Sequence, residues 1–456
     1  RQRRKRSGSG RGRHQGARAR RGSRARHRKR GSDRSRSRSG SASRAGERRE
    51  HRRRRSSQGL RTRRRVRGSR RHSHGKRRGG SNSTSSCEEG PPSPHERRSR
   101  RGDPPHISWK PGMRLGPEGR YCVESLLGDG ASGRVLGCRD SNLTGEPLVA
   151  VKVTKASSRQ WRHAEAEAVV LRRLEEHDAK LYRRLCVRLL ETFVHEELSL
   201  CLVFEPLAVS LRSLIEAGGG KGLLLRDVRT VTMQLLECLS FLHSAGLAHT
   251  DLKCTNVMLR DGGFDPVPHP RLPVPHQAPC LHRPCEVVVI DFGMATSPKE
   301  ATGSRVGARH IRAPEVTLGL GWDVSADMWS LGCLLFTCYT GDRLFSVHQD
   351  MEHLATIEHT LEAQIPVEMA LGVAERIAAK GVTFDAAGRL AWPEYAESSH
   401  LVTKVGGLTP LRELVLPHHG AFLEILLDLL AIRPGERPGA EDAQRWPFVT
   451  DAAVVE

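Results

Sequence analysis

Apolar and polar positions show no regular alternation until well past residue 100. Up to Asp103 the only large aliphatic residues are Leu60 and Val66, and there is no Phe, Trp or Tyr. Pattern begins near Trp109. Tyr121 to Leu127 alternates as a half-buried strand does, Gly128 to Gly133 reads as a tight turn, and Val149 to Val153 is the short apolar run of a buried strand. Arg162 to Leu174 changes to helical spacing, with Ala164, Ala168, Leu171 and Leu174 on one face. Leu198 to Phe204 predicts another strand. Beyond Leu207 the pattern is mainly helical. Arg226 to His243 carries Val228, Val231, Leu235, Leu239 and Leu242 near helical spacing, and Asp327 to Tyr339 and Ala421 to Ile432 read as buried helices. Strands first and helices after predict an α+β class in two lobes, a small β-rich one and a larger helical one. The chain then divides into a tail (1–103), a linker (104–120), a folded domain (121–449, with lobes 121–205 and 206–449) and a short end piece (450–456).

Charge sharpens that division. The tail holds 39 Lys and Arg against 7 Asp and Glu, a net of +32, and the remainder holds 36 against 44, a net of −8. The overall +24 is therefore a property of the tail, and the body is mildly acidic. Such a tail buries too little apolar surface to offset the entropy of ordering, so disorder is expected. It contains Arg/Ser runs from Asp33 to Ser39, a bare block from Arg52 to Arg55, and a linker-like stretch from Gly79 to Pro94. Arg-rich disorder binds phosphate backbones. Without aromatics for base stacking, any contact with RNA is expected to be non-specific. No apolar run reaches membrane-span length, so no membrane is expected, and the charged start lacks the apolar core of a signal peptide. Eleven scattered cysteines suggest a reducing compartment. His276, Cys280, His282 and Cys285 lie in a Pro-rich stretch without paired close spacings, and read as an irregular surface insertion rather than a zinc site.

Five motifs carry chemistry. Gly128-Asp129-Gly130-Ala131-Ser132-Gly133-Arg134-Val135 spaces its glycines so that backbone N–H groups can approach phosphates with no Cβ in the way. Val149-Ala150-Val151-Lys152 ends a buried strand on a charge that needs a partner. Glu167 on the next helix is the expected one, and Glu165 is the alternative on a different face. In His249-Thr250-Asp251-Leu252-Lys253-Cys254-Thr255-Asn256, Asp251 is placed to orient or accept a hydroxyl proton. Lys253 is placed to neutralise a transferring phosphate, and Asn256 to hold a magnesium ion. Asp291-Phe292-Gly293 follows an apolar run and offers Asp291 as a second magnesium ligand. Arg312-Ala313-Pro314-Glu315 offers Glu315 as an ion-pair partner for Arg437. Set in this order, they describe ATP-dependent phosphoryl transfer and a two-lobed eukaryotic protein kinase fold.

The sequence resembles the LAMMER, or CDC-like, branch of the CMGC protein kinases over about Met113 to Val449. The resemblance rests on His249-Thr250-Asp251, Arg309-His310-Ile311-Arg312-Ala313-Pro314-Glu315, Gly321-Trp322, Asp327 to Cys333, and the block Glu352-His353-Leu354-Ala355-Thr356-Ile357-Glu358. It implies a nuclear kinase, in speckles and partly cytoplasmic, of dual specificity, acting as a monomer on Arg/Ser-rich splicing factors with ATP and Mg2+. It implies that Leu127, the Gly-rich loop from Gly128 to Val135, Ala150 and Lys152 surround the nucleotide. Phe204 would be the gatekeeper, Glu205 and Leu207 would contact adenine through their backbone, and Met258 would floor the adenine site. Thr250 cannot pair with a phosphate as Arg would, so activation should depend less on phosphorylation of the segment holding Ser297, Thr302 and Ser304. Three places differ from the branch: Ile311 stands for its Tyr, Thr356 and Ile357 for two Met, and Cys254-Thr255 for Pro-Glu. Three other readings are an Arg/Ser kinase of the split-domain type, which the direct joining of lobes near Phe204 to Leu211 opposes, a kinase of another CMGC branch, and a non-catalytic, RNA-associated nuclear scaffold with a pseudokinase domain.

Overall fold

The computed structural model describes residues 106–299, 304–373 and 381–451. The tail 1–103, Thr302 and the end piece from residue 452 lie outside the described residues.

The smaller lobe is built on one antiparallel sheet. Its strands are β1 (Arg114–Leu115), β2 (Tyr121–Asp129), β3 (Gly133–Asp140), β4 (Leu148–Thr154), β5 (Leu189–His195) and β6 (Ser199–Phe204), in the order β1-β2-β3-β4-β6-β5. Period-two alternation sends Val149, Val151 and Val153 of β4 to one face, where they pack with Leu115, Tyr121, Val123, Leu136, Cys201 and Val203. β1 falls in the stretch read as linker and pairs with the start of β2. β5 gave no sequence signal, because only Phe193 in it is buried and its alternation is weak. The turn read at 128–133 is tighter than expected: β2 runs to Asp129 and β3 resumes at Gly133.

Helix α1 (Ser158–His177) covers the other face of the sheet and extends past the predicted Arg162–Leu174 at both ends. Ser157 explains the earlier start, since its side chain accepts from the Gln160 N–H. Asp178 follows its end and caps α2 (Ala179–Leu185).

The larger lobe contains α3 (Leu211–Ala217), α4 (Leu225–Ser244), α5 (Pro314–Leu318), α6 (Ser325–Thr340) and α7 (Asp350–Leu361). α6 is buried on nearly every side, as its apolar sequence requires. The helix expected over Ala421–Ile432 runs Gly420–Leu429. It stops at Leu430, whose N–H turns back to the carbonyls of Leu426 and Asp428, and Arg437 holds the carbonyls of Ala431 and Ile432 just beyond. Between the lobes' main elements lie the short strands β7 (Val257–Leu259), β8 (Phe264–Pro268), β9 (Gln277–Leu281) and β10 (Val287–Val289). β7 pairs with β10, and β8 with β9. The insertion is thus a hairpin rather than irregular. Asp227 of α4 anchors it by accepting from Leu281 N–H and Arg283. His276, Cys280, His282 and Cys285 form no metal-binding group, and no helix is long and apolar enough to cross a membrane, among the described residues.

One apolar cluster runs from α1 (Ala164, Leu171, Leu174) and β6 (Leu202, Phe204) into α4 and α6. It is distinct from the cluster on the sheet's outer face.

Candidate active site

The site forms where β2–β4, α1 and the loops around β7 and β10 meet. Between β2 and β3, Gly130 N–H donates to Gly133 O (3.0 Å), closing the glycine turn. The glycines have different reasons. A Cβ on Gly133 would lie 2.2 Å from the Val153 carbonyl oxygen, so close sheet packing demands it. A Cβ on Gly130 would meet nothing nearer than 3.6 Å, so the fold would admit one. Arg134 and Val135 point to opposite faces. Arg134 donates to Asp129 and, at 2.8 Å, to the Ile107 carbonyl. His106 also lies against Asp129, so residues before β1 are fastened to the glycine turn.

Lys152 projects from β4 to a carboxylate pair. Its Nζ lies 2.7 Å from Glu167 Oε2 and 3.1 Å from Asp291 Oδ1. The Glu167 expectation therefore holds, and Glu165 is exposed on another face of α1. Burial opposes the Lys152 ammonium, but the two carboxylates outweigh it and hold its pKa above the ordinary value. Burial raises the Glu167 carboxyl, and Lys152 offsets part of that. Asp291 is also pushed up by burial, yet Lys152 carries it below the usual range. Asp291 sits at φ 65°, in the left-handed region. Phe292 after it is buried edge-on against the His249 ring.

The catalytic-loop motif is held from three sides. Asp251 Oδ2 pairs with Lys253, and Oδ1 accepts from Ala308 N–H at 3.1 Å. Asn256 Nδ2 donates to the Asp251 carbonyl at 3.0 Å, which turns its Oδ1 the other way. Asp251 N–H donates to His249 Nδ1, so Nε2 is the protonated nitrogen and donates to Ile290 O (3.1 Å). Thr250 is a β-branched residue at φ 65°. Fully buried Asp327 of α6 compensates: it accepts from His249 N–H and Thr250 N–H, each at 2.8 Å, and from His243. Sequence reasoning saw Asp327 only as part of a helix. A carboxylate bonded to backbone leaves no periodic trace.

At the back of the cleft Phe204 is buried and pairs with Ala150. Glu205 N–H donates to Arg188 O, and its carboxylate is held by Arg260 at 2.8 Å. Leu207 is half-buried after it, Met258 lies on β7, and Leu127 is exposed at the rim on β2. Every predicted site residue thus lies on the elements around one cleft. Glu315 and Arg437 form the expected ion pair, bidentate at 2.7 and 2.8 Å and buried. Ser297 is buried, and Ser304 is exposed with its carbonyl accepting from Trp322.

Asn256 and Asp291 offer hard oxygen donors, two in number. That suits Mg2+, which usually takes one or two protein ligands and completes its shell with phosphates and water. The space at Gly130 and the cation at Lys152 suit a polyphosphate.

Comparison with known proteins agrees. A family model described as protein kinase domain matches residues 121–449. The chain is 34% identical over 364 residues to the serine/threonine-protein kinase AFC2 of Arabidopsis thaliana, covering 76% of this chain and 82% of that one. It is 33% identical over 332 residues to the dual specificity protein kinase CLK1 of Homo sapiens, covering 72% and 66%. A solved kinase-domain crystal structure is 34% identical with a TM-score of 0.68, covering 75% of this chain and 98% of that one.

Proposed function

Because this chain belongs to the protein kinase family, in the LAMMER or CDC-like branch of its CMGC group, we propose that it phosphorylates serine, threonine and tyrosine in Arg/Ser-rich splicing factors. The observation that carries the reading is the contact of Lys152 with both Glu167 and Asp291, beside a catalytic loop that holds Asp251, Lys253 and Asn256 together. Protein kinases take the phosphoryl group from ATP and use Mg2+ to neutralise phosphate charge. In this chain Lys152, positioned by Glu167, contacts the α- and β-phosphates. Asp291 and Asn256 would hold the magnesium ion, which would supply positive charge to the phosphates. Asp251 orients the acceptor hydroxyl and takes its proton. Lys253, on the same carboxylate, faces the charge that develops during transfer. Residues Gly128 to Val135 cover the phosphates. Leu127, Ala150, Phe204 and Met258 enclose the adenine, and the backbone of Glu205 and Leu207 hydrogen-bonds it.

The substrate class rests on branch membership and on charge. The body, 104–456, carries a net −8, which complements a strongly basic substrate. Thr255, exposed on the catalytic loop, replaces the Glu that touches a substrate Arg in the branch, so recognition leans on overall charge. The same reading makes the protein a nuclear monomer with non-specific RNA contact through its basic tail.

The test is to incubate the protein with Mg2+, labelled ATP, an Arg/Ser-repeat peptide and a Pro-directed peptide of equal charge, beside Asp291→Ala. Label on the Arg/Ser peptide that is lost in Asp291→Ala is the expected result. Label only on the Pro-directed peptide would sink the substrate class and keep the kinase. No label on any substrate, the protein's own tail included, would sink both.

A further inference from the structure

Two thiols meet where the catalytic loop lies on α6. Cys254, which follows Lys253, and Cys338, in the last turn of α6, hold their sulfurs 3.9 Å apart, in contact. Both are buried. Cys254 Sγ also lies 3.8 Å from the carbonyl oxygen of Leu334, one turn before Cys338, so it is seated between two turns of one helix. α6 therefore grips the loop twice. Asp327 holds the amides of His249 and Thr250 at one end, and Leu334 and Cys338 hold Cys254 at the other. Asp251 and Lys253 stand between the two grips. Cys254 takes the place of a Pro in the branch, so phosphoryl transfer does not call for a thiol there.

A disulfide is about 2.0 Å long, so closing one here shortens the gap by about 1.9 Å. α6 is buried on nearly every side and packed too densely to shift, so the loop takes up the movement. Asn256 N–H donates to Lys253 O at 2.8 Å, and Asn256 Nδ2 donates to Asp251 O at 3.0 Å. Drawing in Cys254 therefore displaces Asp251, Lys253 and Asn256 together. Cys254 is the outer of the two thiols, flanked by half-buried Lys253 and exposed Thr255. The hydrogen bond with Cys254 and burial hold the Cys338 thiol well above its ordinary pKa, so Cys338 is the second thiol to react rather than the first.

We propose that Cys254 and Cys338 form a modification site, a dithiol that a hydroperoxide converts to a disulfide, and that the closed bond impairs the catalytic loop. The Cys254 sulfur attacks one peroxide oxygen. The O–O bond breaks, water or an alcohol leaves, and Cys254 becomes a sulfenic acid. The Cys338 sulfur then attacks that of Cys254. The S–S bond forms, the S–O bond breaks, and a water leaves with the second thiol proton. Two electrons pass from the thiol pair to the peroxide, and a small dithiol restores the pair by exchange. The effect on turnover rests on the phosphoryl-transfer reading above; the cross-link does not. Cys186 and Cys238 are a second buried, hydrogen-bonded pair, on neither the catalytic loop nor α6.

The experiment treats the full chain with hydrogen peroxide, keeps a dithiothreitol-reduced sample as reference, maps cross-linked peptides by mass spectrometry, and measures kcat on the Arg/Ser-repeat peptide. The expected result is a bond between Cys254 and Cys338, a fall in kcat of about tenfold or more, and recovery of both on adding dithiothreitol. That size follows because misplacing reacting groups by about 1 Å can cost about a hundredfold. Cys338→Ala should keep the reduced wild-type kcat and show no dithiothreitol-reversible loss after peroxide. Cys338→Ser, close to the thiol in size, makes the same comparison if the alanine cavity unfolds the protein. A complete cross-link with unchanged kcat overturns the effect on the loop. No bond between these two residues, or one confined to Cys186 and Cys238, overturns the site. A reversible loss that persists in both Cys338 variants places the oxidation elsewhere and overturns it too. No labelling even by reduced protein is a distinct outcome that strikes the kinase reading, and the peptide map still decides the site.

Discussion

Asp327 does no chemistry, yet the catalytic loop depends on it. Burial would raise its pKa, but His243 and the loop amides hold it below the usual range, so it stays an anion. Its two amide bonds stabilise Thr250 at a φ that costs a non-glycine residue roughly 1–3 kcal/mol. Asp327→Ala leaves two buried N–H groups unpaired, each worth about 1–3 kcal/mol. The expected outcome is a lower melting midpoint together with a fall in kcat, because Asp251 is the next residue. Wild-type kcat in a folded Asp327→Ala protein would refute this role. At this scale the chemistry was legible and its support was not. Asp251, Lys253, Asn256 and Asp291 announce themselves by type and spacing, and the 15-residue gap to Glu167 fits one turn of chain plus a helix face. Asp327 works through amides 77 and 78 residues away, which spacing cannot reveal.

Among elements, the β2–β4 unit separates two kinds of glycine. Gly133 sits where β3 meets β4, with the Val153 carbonyl in the place of any Cβ. Gly133→Ala should destabilise the domain by about 1–3 kcal/mol, as overpacking does, and displace the strand that carries Lys152. Gly130→Ala should leave the melting midpoint nearly unchanged and raise KM for ATP instead, since its space faces no protein atom nearer than 3.6 Å. Thermal melts and ATP titrations of both variants check the pair; the reverse pattern would refute it. Strands and helices with strong alternation, such as β4, α1, α4 and α6, were readable because burial is one-sided or complete. Their ends were less so. Ser157 lengthens α1 by a cap, and the helix Gly420–Leu429 stops short of Ala431 and Ile432, whose carbonyls Arg437 binds. The hairpin β8–β9 escaped because its proline-rich strands carry little apolar pattern.

For the whole molecule, buried imidazoles set a pH dependence. His353 is fully buried with its pKa lowered to about 3 by burial, and His310 and His419 are lowered to about 4. An unfolded histidine titrates near 6.5. Below that pH the unfolded chain binds more protons than the folded one, so stability falls as pH falls. His353 alone contributes a slope of up to about 1.4 kcal/mol per pH unit from near 6.5 downwards. Urea midpoints should drop between pH 7 and 5.5, above the range where the lowered carboxylates of Asp140, Asp327 and Asp350 begin to protonate. A variant His353→Gln should show a shallower drop; an unchanged slope would rule the histidine out. The α+β class and the two lobes were legible from the order of patterns alone.

The two apolar clusters also locate the seam of the molecule. α1 and the inner face of β6 share one continuous oil phase with α4 and α6, whereas the outer face of the sheet has its own small droplet. That seam is the sheet itself: β6 gives Leu202 and Phe204 to the large cluster and Cys201 and Val203 to the small one, so the same strand holds both together. Apolar contact therefore ties α1, which carries Glu167, to the large lobe, whereas the glycine turn adds nothing to that shared phase.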